Sequence, residues 1–396
     1  MSGMDSQISL LTAGRDRPYA LGLAAALMAA GARFDFVGSD EVDSPELHTS
    51  AQVRFLNLRG DQSVKAGLLQ KIFRVLAYYG RLLGYAATAR PKVFHILWNN
   101  KFEVFDRTVL MLFYKMLGKK IVLTAHNVNA GSRDANDSWL NRATLKFQYR
   151  RCDHIFLHTE KMKAELVGGF GVPETKASVI PFGINSTVPD TALTPAVARQ
   201  RLGLGESEKV LLFFGNIAPY KGVEFLVDAF IAVAPRAENY RLIIAGRPKG
   251  SEAYWAGLLQ KINASPVRDQ ITLRIEFVPD EETEIYFKAA DVLVLPYTHI
   301  FQSGVLFLGY NFGLPVIAAD VGSLKDEIVE GKTGLIFKPG DAADLARVIE
   351  NYFAGDLFAR LKTGRQSIRE FANERYSWSK VARLTMDVYT RLMNSP

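Results

Sequence analysis

The sequence contains one cysteine, Cys152, in 396 residues. It can therefore form no intrachain disulfide, and a cysteine-based metal cluster is not expected. The N-terminal stretch lacks the basic start and apolar core of a signal peptide. The longest uncharged run, from Pro18 to Ala32, is shorter than the roughly 20 residues needed to span a bilayer. These absences predict a cytoplasmic protein.

Acidic residues are fewer than basic ones, with 41 Asp and Glu against 48 Lys and Arg, which gives a formal net charge of +7. That excess favours an anionic partner, which could be nucleic acid, anionic lipid or a phosphorylated metabolite. A hydrophobic fraction of 48% with 22% charged residues is typical of a globular chain rather than a disordered one. The length is sufficient for two domains.

Short apolar runs rich in Val, Ile and Phe alternate with helical patterns in two successive series. Seven runs extend from "ISLLTAG" to "SVIPFG", and six extend from "KVLLFFG" to "GLIFKP". Such alternation predicts the α/β class with two doubly wound parallel sheets, whose ligands bind beyond the carboxyl ends of the strands. The predicted organisation is an N-terminal domain at 1–184, a linker at 185–209, a C-terminal domain at 210–372 and a final helix at 373–396 that crosses back to the N-terminal domain.

The stretch "QSGVLFLGYNFGLPVIAADVGS", residues 302–323, contains no basic side chain and one carboxylate. It predicts a short buried helix at Val305–Phe312, with Ser303 as its N-cap and Gly304 in its first turn. A helix N-terminus presents unpaired N–H groups and a partial positive charge, so these backbone amides could hold a phosphate group. The alternative is a capped helix of the core with no ligand.

The stretch "FFGNIAPYKG" predicts a strand, a loop and a helix start at Lys221–Gly222. Lys221 would then lie at the carboxyl end of the first strand of the second sheet. An ammonium at that position could neutralise the charge that develops on a departing phosphate. The alternative is a solvated lysine in the first turn of a helix.

Together, four segments carry a family resemblance: "VIPFGI", "GNIAPYKG", the block from Ser303 to Asp341, and "YSWSKVARLTMDVY". The chain resembles the retaining glycosyltransferases of family 4, which use sugar nucleotides and have the GT-B fold. The resemblance implies two Rossmann-like domains facing a central cleft. It also implies transfer of a sugar from a nucleotide donor, such as a UDP- or GDP-sugar, to an acceptor bound mainly by the N-terminal domain.

The resemblance implies catalytic roles for two residues: His126 would face the donor sugar, and Lys221 would contact the donor diphosphate. Gly14 matches the small residue that lets the acceptor-side loop approach the diphosphate. The backbone that also receives the diphosphate matches four consecutive residues, Ser303, Gly304, Val305 and Leu306.

The sequence departs from the family pattern in two places. Asn216 stands where the family often has an arginine, and no glutamate occurs between Glu284 and Glu327, where many members have two. The positions of those glutamates fall on Ile300 or Phe301 and on Leu308 or Gly309. A subgroup with a "QSGV" loop shares this form. The ribose contact would then come from one of three polar residues nearby, His299, Gln302 or Asp326.

No carboxylate lies in a convincing nucleophile position, which favours same-face attack in which the leaving diphosphate takes the proton of the acceptor. The protein would then act by placing the substrates and stabilising the leaving group. No Asp-x-Asp motif follows a predicted strand, so neither a metal ion nor another cofactor is expected. Asp280, Glu281 and Glu282 are interpreted as the start of a helix rather than as metal ligands.

No acidic residue occurs between Asp61 and Glu103. Within this stretch a helix is predicted with Lys71, Arg74, Tyr78 and Arg81 on one side, and Leu69, Ile72, Leu76 and Leu83 roughly opposite. Such a helix fits either an anionic membrane surface or an ordinary packed and solvated helix.

The membrane interpretation implies an enzyme on the inner face of the membrane, with a polyprenyl-diphosphate-linked glycan as acceptor. It would assemble a bacterial exopolysaccharide, a lipopolysaccharide or another glycan. The alternatives are a soluble sugar or sugar-phosphate acceptor, a degenerate transferase that binds without turnover, or a basic nucleic-acid-binding protein. The last lacks a recognition motif, so no nucleic acid partner is expected.

Overall fold

A computed structural model describes residues 7–62, 67–133, 137–184, 188–236, 239–300 and 302–394. The chain divides into two compact units. Unit 1 comprises Met1–Gly183 and Tyr376–Pro396, and unit 2 comprises Ile184–Arg375. The two ends of the chain therefore belong to the same unit.

Unit 1 contains, among its described residues, a seven-stranded sheet in the order β3-β2-β1-β4-β5-β6-β7 with every neighbouring pair parallel. The inner strands β1, β4 and β6 are buried along their whole length, because helices cover both faces. The strands are β1 Ile8–Leu11, β2 Phe34–Gly38, β3 Val53–Asn57, β4 Val93–Ile96, β5 Lys120–Thr124, β6 His154–Leu157 and β7 Ala177–Val179.

The helices of unit 1 are α1 Arg17–Ala29, α2 Pro45–Thr49, α3 Leu68–Thr88, α4 Glu103–Phe105, α5 Met111–Met116, α6 Ala130–Arg133, α7 Trp139–Arg151, α8 Glu160–Phe170 and the C-terminal helix Trp378–Asn394. A π-helical turn, Asp106–Leu110, joins α4 to α5. The C-terminal helix packs on α1 and contacts β4. Gly22 permits this approach, because a Cβ atom there would lie 2.2 Å from the Trp378 ring.

Unit 2 contains a six-stranded parallel sheet in the order β10-β9-β8-β11-β12-β13 among its described residues. Its central strands are buried throughout, as their unbroken apolar runs predict. The strands are β8 Lys209–Phe214, β9 Tyr240–Ala245, β10 Ile271–Arg274, β11 Val292–Leu295, β12 Val316–Ala319 and β13 Gly334–Phe337.

The helices of unit 2 are α9 Pro195–Arg201, α10 Val223–Val233, α11 Glu252–Ala264, α12 Asp280–Ala289, α13 Gly304–Asn311, α14 Leu324–Glu327, α15 Ala342–Ala354, α16 Asp356–Ala359 and α17 Leu361–Tyr376; the C-terminal helix of unit 1 is α18. Helix α9 lies within the proline-rich stretch between the two series of strands and packs on α12. Polar contacts hold this stretch to unit 2, since Thr191 donates to Glu284 and Arg199 pairs with Asp291 at 2.7 Å.

The predicted α/β class with two doubly wound Rossmann-like sheets is confirmed, with seven and six strands in the two series. Local boundaries differ by one residue in places. Helix α13 begins at Gly304 and ends at Asn311, one residue earlier at each end than predicted. Asp280, Glu281 and Glu282 form the first turn of α12, whose N-cap is Pro279.

Candidate functional site

The order of strands in unit 2 creates a crevice at one edge of its sheet. Strands β8 and β11 are neighbours, and the chain leaves them toward opposite sides, to β9 and to β12. At such a switch point the loops after the two strands diverge and leave room for a ligand. Lys221 lies in the loop after β8, and Ser303 in the loop after β11. The topology therefore brings together the two stretches that the sequence singled out separately.

These two loops are in direct contact. The Thr298 amide donates to the Tyr220 carbonyl at 2.9 Å. Gly222 has a φ of 60°, and a Cβ atom there would lie 2.0 Å from the Pro296 carbonyl oxygen. Only glycine accepts both the backbone conformation and this close approach. Gly222 thus fixes the position of the preceding Lys221 relative to the end of β11.

Lys221 is buried, with 8% of its surface exposed, at the end of the 3₁₀ turn Pro219–Lys221. Its Nζ lies 3.8 Å from the centre of the Tyr297 ring, so a cation–π contact supports the ammonium group. Within the described ranges no carboxylate pairs with it. The burial of Lys221 contradicts the alternative of a solvated lysine, and no described carboxylate supplies a counter-charge to its ammonium group.

Tyr297 links the N-terminus of α13 to this lysine, because its ring contacts Lys221 and its hydroxyl lies 3.3 Å from Ser303 Oγ. Among the residues that the structure describes, no protein acceptor receives the amides of Ser303, Gly304 and Val305, whereas the Leu306 amide donates to the Ser303 carbonyl at 3.1 Å. Ser303 is the N-cap by position, but its Oγ lies 3.3 Å from the Tyr297 hydroxyl instead of capping the helix. Three of the four predicted amides therefore have no acceptor among the described residues, whereas the amide of Leu306 is already bonded to Ser303.

Of the other residues predicted for the donor site in unit 2, Asn216, His299 and Gln302 lie in the same two loops, whereas Asp326 lies outside them. The side chain of Gln302 has both amide atoms buried without a hydrogen-bond partner in the described part of the chain. Asn216 and His299 are exposed in the loops after β8 and β11, and Asp326 is exposed in α14. Gly215, just after β8, lies close to the start of α13, since a Cβ atom built at this position would be 3.6 Å from the Val305 side chain.

In unit 1, His126 lies just beyond β5 in a cage of aromatic rings. It stacks on Trp98 with centroids 3.9 Å apart, and the edge of Tyr19 meets it at 4.7 Å. Its Nδ1 lies 3.0 Å from Nε2 of His158, and its own Nε2 is buried without a partner among the described residues. Burial, with a smaller contribution from His158, holds the pKa of His126 well below its usual value, so the ring is neutral.

His126 also lines a cavity of about 130 Å³ in unit 1. Arg107, Asn127 and Gln148 are among its polar lining residues. The Arg107 guanidinium donates to Asn141 at 2.8 Å and pairs with Glu103, while its Nε is buried without a partner in the described residues. The cavity therefore combines hydrogen-bonding groups with the ring of Trp98, a combination suited to a hydroxylated ring.

Gly14 lies in the turn after β1 with a φ of 61°. A Cβ atom there would lie 2.4 Å from the Ser39 hydroxyl and 2.5 Å from the Gln62 amide. Glycine is thus required for packing within unit 1, whatever ligand the turn approaches.

The predicted membrane or acceptor surface extends along α3 from Lys71 to Arg81. Lys71 is exposed, Arg74 pairs with Asp61 at 3.0 Å, and Arg81 donates to the Leu58 carbonyl at 3.3 Å. Arg74 and Arg81 line a cavity of about 200 Å³. The predicted stripe is wrong at Tyr78, which is buried and donates to Asn100, because the inward face of α3 runs through it.

The apolar side chains in the N-terminal half of α3 are exposed to solvent rather than packed. Leu69 is 83% exposed and Phe73 is 73% exposed, and Ile72 and Leu76 are about half exposed. Four exposed apolar side chains clustered at one end of a helix are typical of an interaction site.

Sequence reasoning missed Tyr297 and His158. Tyr297 ends the apolar run "VLVLPY" and reads as a core residue. His158 ends the run "HIFLH" as His126 ends "IVLTAH", and β5 and β6 pair in parallel with Thr124 opposite Phe156. Two strand-end histidines in adjacent parallel strands are neighbours, so this signal was present in the sequence.

No arrangement of three or more His, Cys, Asp or Glu side chains suited to a metal ion occurs in the described ranges. Within those ranges, no helix combines the length and the apolar character that crossing a bilayer requires.

Both units match families of known proteins. The model described as Glycosyltransferase Family 4 matches residues 18–188, and that described as Glycosyl transferases group 1 matches residues 208–354. A D-inositol 3-phosphate glycosyltransferase of Streptomyces avermitilis is 31% identical over 248 residues, which are 61% of this chain and 53% of that protein. The corresponding protein of Streptomyces bingchenggensis is 32% identical over 247 residues, which are 61% and 53%. The chain thus spans about half the length of the curated relatives it matches.

Solved structures match over nearly the whole chain. Sucrose-phosphate synthase of Thermosynechococcus elongatus has a TM-score of 0.77 at 21% identity, covering 98% of this chain and 99% of its own. Anabaena Alr3699/HepE, in complex with UDP and glucose, has a TM-score of 0.74 at 17% identity, covering 97% and 99%. These likenesses establish the fold. The chain therefore has the GT-B fold, and its two units match glycosyltransferase family models over residues 18–188 and 208–354.

Proposed function

We propose that the protein transfers a sugar from a nucleotide-sugar donor to an acceptor, with retention of the anomeric configuration and without a metal ion. The observation that carries this proposal is the buried ammonium of Lys221, which no described carboxylate pairs with, together with the amides of Ser303, Gly304 and Val305, which have no acceptor among the described residues. The glycosyltransferase families matched by both units support the same reaction class.

An anion is the ligand that this site would bind most favourably. Burying an ion without a partner costs several kcal/mol, and a bound diphosphate would offset that cost. The helix N-terminus adds attraction for negative charge. As the bond between sugar and diphosphate breaks, Lys221 and the amides would stabilise the leaving group, and the diphosphate would accept the proton of the attacking hydroxyl.

UDP-sugars are the donors to test first. The Anabaena protein that shares the fold is in complex with UDP and glucose. For the ribose contact, Gln302 is favoured over His299 and Asp326, because its amide group has both a donor and an acceptor buried without partners among the described residues. His126 would face the donor sugar as a neutral ring.

A lipid-linked acceptor, such as a polyprenyl-diphosphate glycan, is supported by the surface of α3. There the exposed side chains of Leu69 and Phe73 lie on the same helix as Lys71, Arg74 and Arg81. The apolar groups could enter the lipid interface while the basic groups meet anionic headgroups. The protein would then work on the cytoplasmic face of the membrane.

A soluble sugar or sugar-phosphate acceptor is the second candidate. The cavity of about 130 Å³ beside His126 suits a single hydroxylated ring. The D-inositol 3-phosphate glycosyltransferases, relatives that this chain matches over about half their length, favour the same class of acceptor.

A thermal-shift panel of UDP-, GDP-, ADP- and dTDP-sugars tests the donor site. A ligand at a hundredfold excess over its dissociation constant stabilises the fold by about 2.7 kcal/mol. Lys221→Met should abolish most of the shift, whereas Lys261→Met, at an exposed lysine paired with Asp228, should retain it. An undiminished shift in Lys221→Met would remove Lys221 from the site.

Co-sedimentation with phosphatidylglycerol vesicles at low salt separates the two acceptors. The lipid-linked acceptor predicts binding that Phe73→Ser weakens and that high salt reduces. Absence of binding would leave the soluble acceptor.

A further inference from the structure

Three arginines line the cavity of about 200 Å³ beside α3. A single water needs about 10–15 Å³ of such space, so the cavity has room for a diphosphate group. Its lining comes from the segment after β3 and from α3, and consists of Arg59, Gly60, Asp61, Phe73, Arg74, Ala77 and Arg81. The cavity therefore belongs to unit 1 alone.

The lining carries more positive than negative charge. Asp61 is the only carboxylate among the described lining residues, and it pairs with Arg74 at 3.0 Å. Arg59 and Arg81 form no ion pair with a carboxylate in the described part of the chain, and each donates instead to a backbone carbonyl oxygen. A carbonyl has no formal charge, so two guanidinium charges at the cavity lack a charged partner among the described residues.

Arg59 is half-buried, with its guanidinium 5.4 Å from the centre of the Tyr78 ring. Burial lowers the pKa of Arg59, and the nearby charge of Arg15 lowers it further, against a partial offset from Tyr78 and Glu41. A guanidinium nevertheless stays charged in a protein. An anion in the cavity would therefore stabilise a charge that burial disfavours.

Apolar side chains continue from this lining along α3. Phe73 lines the cavity and is exposed to solvent. Leu69 precedes Phe73 by four residues and Leu76 follows it by three, so both lie on the same side of the helix, and both are exposed. A ligand that joins an anionic group to a hydrocarbon chain would cover the basic and the apolar part of this surface together.

We infer that the cavity lined by Arg59, Arg74 and Arg81 binds the diphosphate of a lipid-linked acceptor, whose hydrocarbon chain lies against Phe73 and Leu69. This inference rests on the lipid-linked acceptor of the proposed function and names the residues that hold it. A guanidinium presents five N–H donors in a planar fork that matches the oxygens of a phosphate group. A soluble phosphate compound would fill the cavity but leave the apolar side chains in water, which favours the lipid.

Calorimetric titration of the full-length protein with farnesyl diphosphate and with inorganic pyrophosphate tests the inference. A metal-free buffer with saturating UDP keeps both probes out of the proposed donor site. Arg81→Gln should weaken both probes by about tenfold, the value of one hydrogen bond to a charged group. Phe73→Ser should weaken farnesyl diphosphate by about tenfold and leave pyrophosphate unchanged, because only the first has a chain to bury.

The matched control is Arg150→Gln, at an exposed arginine of α7 that does not line the cavity, and it should change neither affinity. Urea unfolding of each variant verifies that it folds. If Arg81→Gln does not fold, Arg74→Gln decides in its place, with the same expected loss for both probes.

Three results would overturn the inference. A wild type that does not bind farnesyl diphosphate would remove the lipid, and an affinity undiminished in Arg81→Gln and Arg74→Gln would remove the cavity. Losses in the arginine variants without any effect of Phe73→Ser would identify a site for soluble phosphate groups instead.

Failure of the proposed donor site is a separate outcome. It would appear as the absence of any thermal shift with sugar nucleotides, whereas the effects of Arg81→Gln and Phe73→Ser would still decide the role of the cavity. Binding of farnesyl diphosphate that Lys221→Met abolishes and Arg81→Gln retains would assign the probe to unit 2, and would overturn the inference while the donor site stands.

Discussion

Acidification should destabilise unit 1 through four buried histidines, one of which is His126. The pKa of His95 is lowered to about 3 and those of His154 and His158 to about 4, in each case first by burial. The unfolded chain takes up protons at these residues as the pH falls through about 6.5, while the folded chain does not until far lower. The stability they contribute is therefore present at pH 7.5 and is lost as the pH falls below 6.5.

Each of the histidines with a pKa near 3 or 4 lowers the free energy of unfolding by about 1.3 kcal/mol between pH 7.5 and 5.5. The reason is that one proton bound only by the unfolded chain changes this free energy by about 1.4 kcal/mol per pH unit. Asp106 acts in the opposite direction, because burial raises its pKa to about 6 and the folded chain then binds a proton first. Asp106 raises the free energy of unfolding by about 0.8 kcal/mol over the same pH range. His95, His154, His158 and Asp106 together give a net loss of about 3 kcal/mol in the free energy of unfolding. His126 adds to this loss, because its pKa is also held well below its usual value. The sum is a large part of the 5–15 kcal/mol typical of a domain.

Urea unfolding at a series of pH values, followed by tryptophan fluorescence, measures this loss. Unfolding at pH 5.5 should take up at least about two protons, because His126 adds to the uptake of the other three histidines. The matched variant is His154→Gln, whose ring is buried between Ser178 and Arg391 and is lowered in pKa by both burial and the guanidinium. It should reduce the pH dependence by nearly one proton. A free energy of unfolding that is equal at pH 7.5 and 5.5 would refute the reasoning.

Three further predictions concern unit 2. Gly222→Ala should lower the free energy of unfolding by about 1–3 kcal/mol and weaken donor binding, because the new Cβ atom would clash with the Pro296 carbonyl at a φ of 60°. Urea unfolding that is unchanged in this variant would contradict the prediction. Glu284→Gln should lower the free energy of unfolding by about 2 kcal/mol, because the buried Lys288 loses its charged partner at 2.7 Å but keeps Asp190 at 2.9 Å. A change under about 0.5 kcal/mol would show that the Glu284–Lys288 pair is dispensable for stability. EDTA should leave sugar transfer unchanged, because the proposed site supplies Lys221 and helix amides to the diphosphate; loss of activity restored by Mg²⁺ would contradict a metal-free reaction.

The fold could be predicted because its strands are apolar along their whole length. In β11 and β12 every residue is buried, so the sequence carries the signature of a covered parallel strand. The start of α13 was also accessible, since Ser303 and Gly304 follow an ordinary helix-start pattern. Apolar runs and helix-start patterns depend on neighbouring residues in the chain, so a single sequence is enough to recognise them.

The candidate site was predictable in position but not in environment. Nothing in "GNIAPYKG" indicates that Lys221 is buried above Tyr297, because that contact joins loops 76 residues apart in the chain. The inward turn of Tyr78 on α3 was missed for a related reason, since its partner Asn100 lies beyond β4. Which face of a helix packs depends on the neighbouring elements, and periodicity alone does not name them.

Helix α18 has a consequence for biosynthesis. Val381 and Tyr389 belong to the same hydrophobic cluster as Leu10, Phe34 and the buried face of α1. A nascent chain emerging from the ribosome therefore carries an incomplete first lobe throughout the synthesis of the roughly 190 residues that follow it. The second lobe, whose segment is continuous, can mature first, and the earlier one closes only after the last turns of helix have been translated.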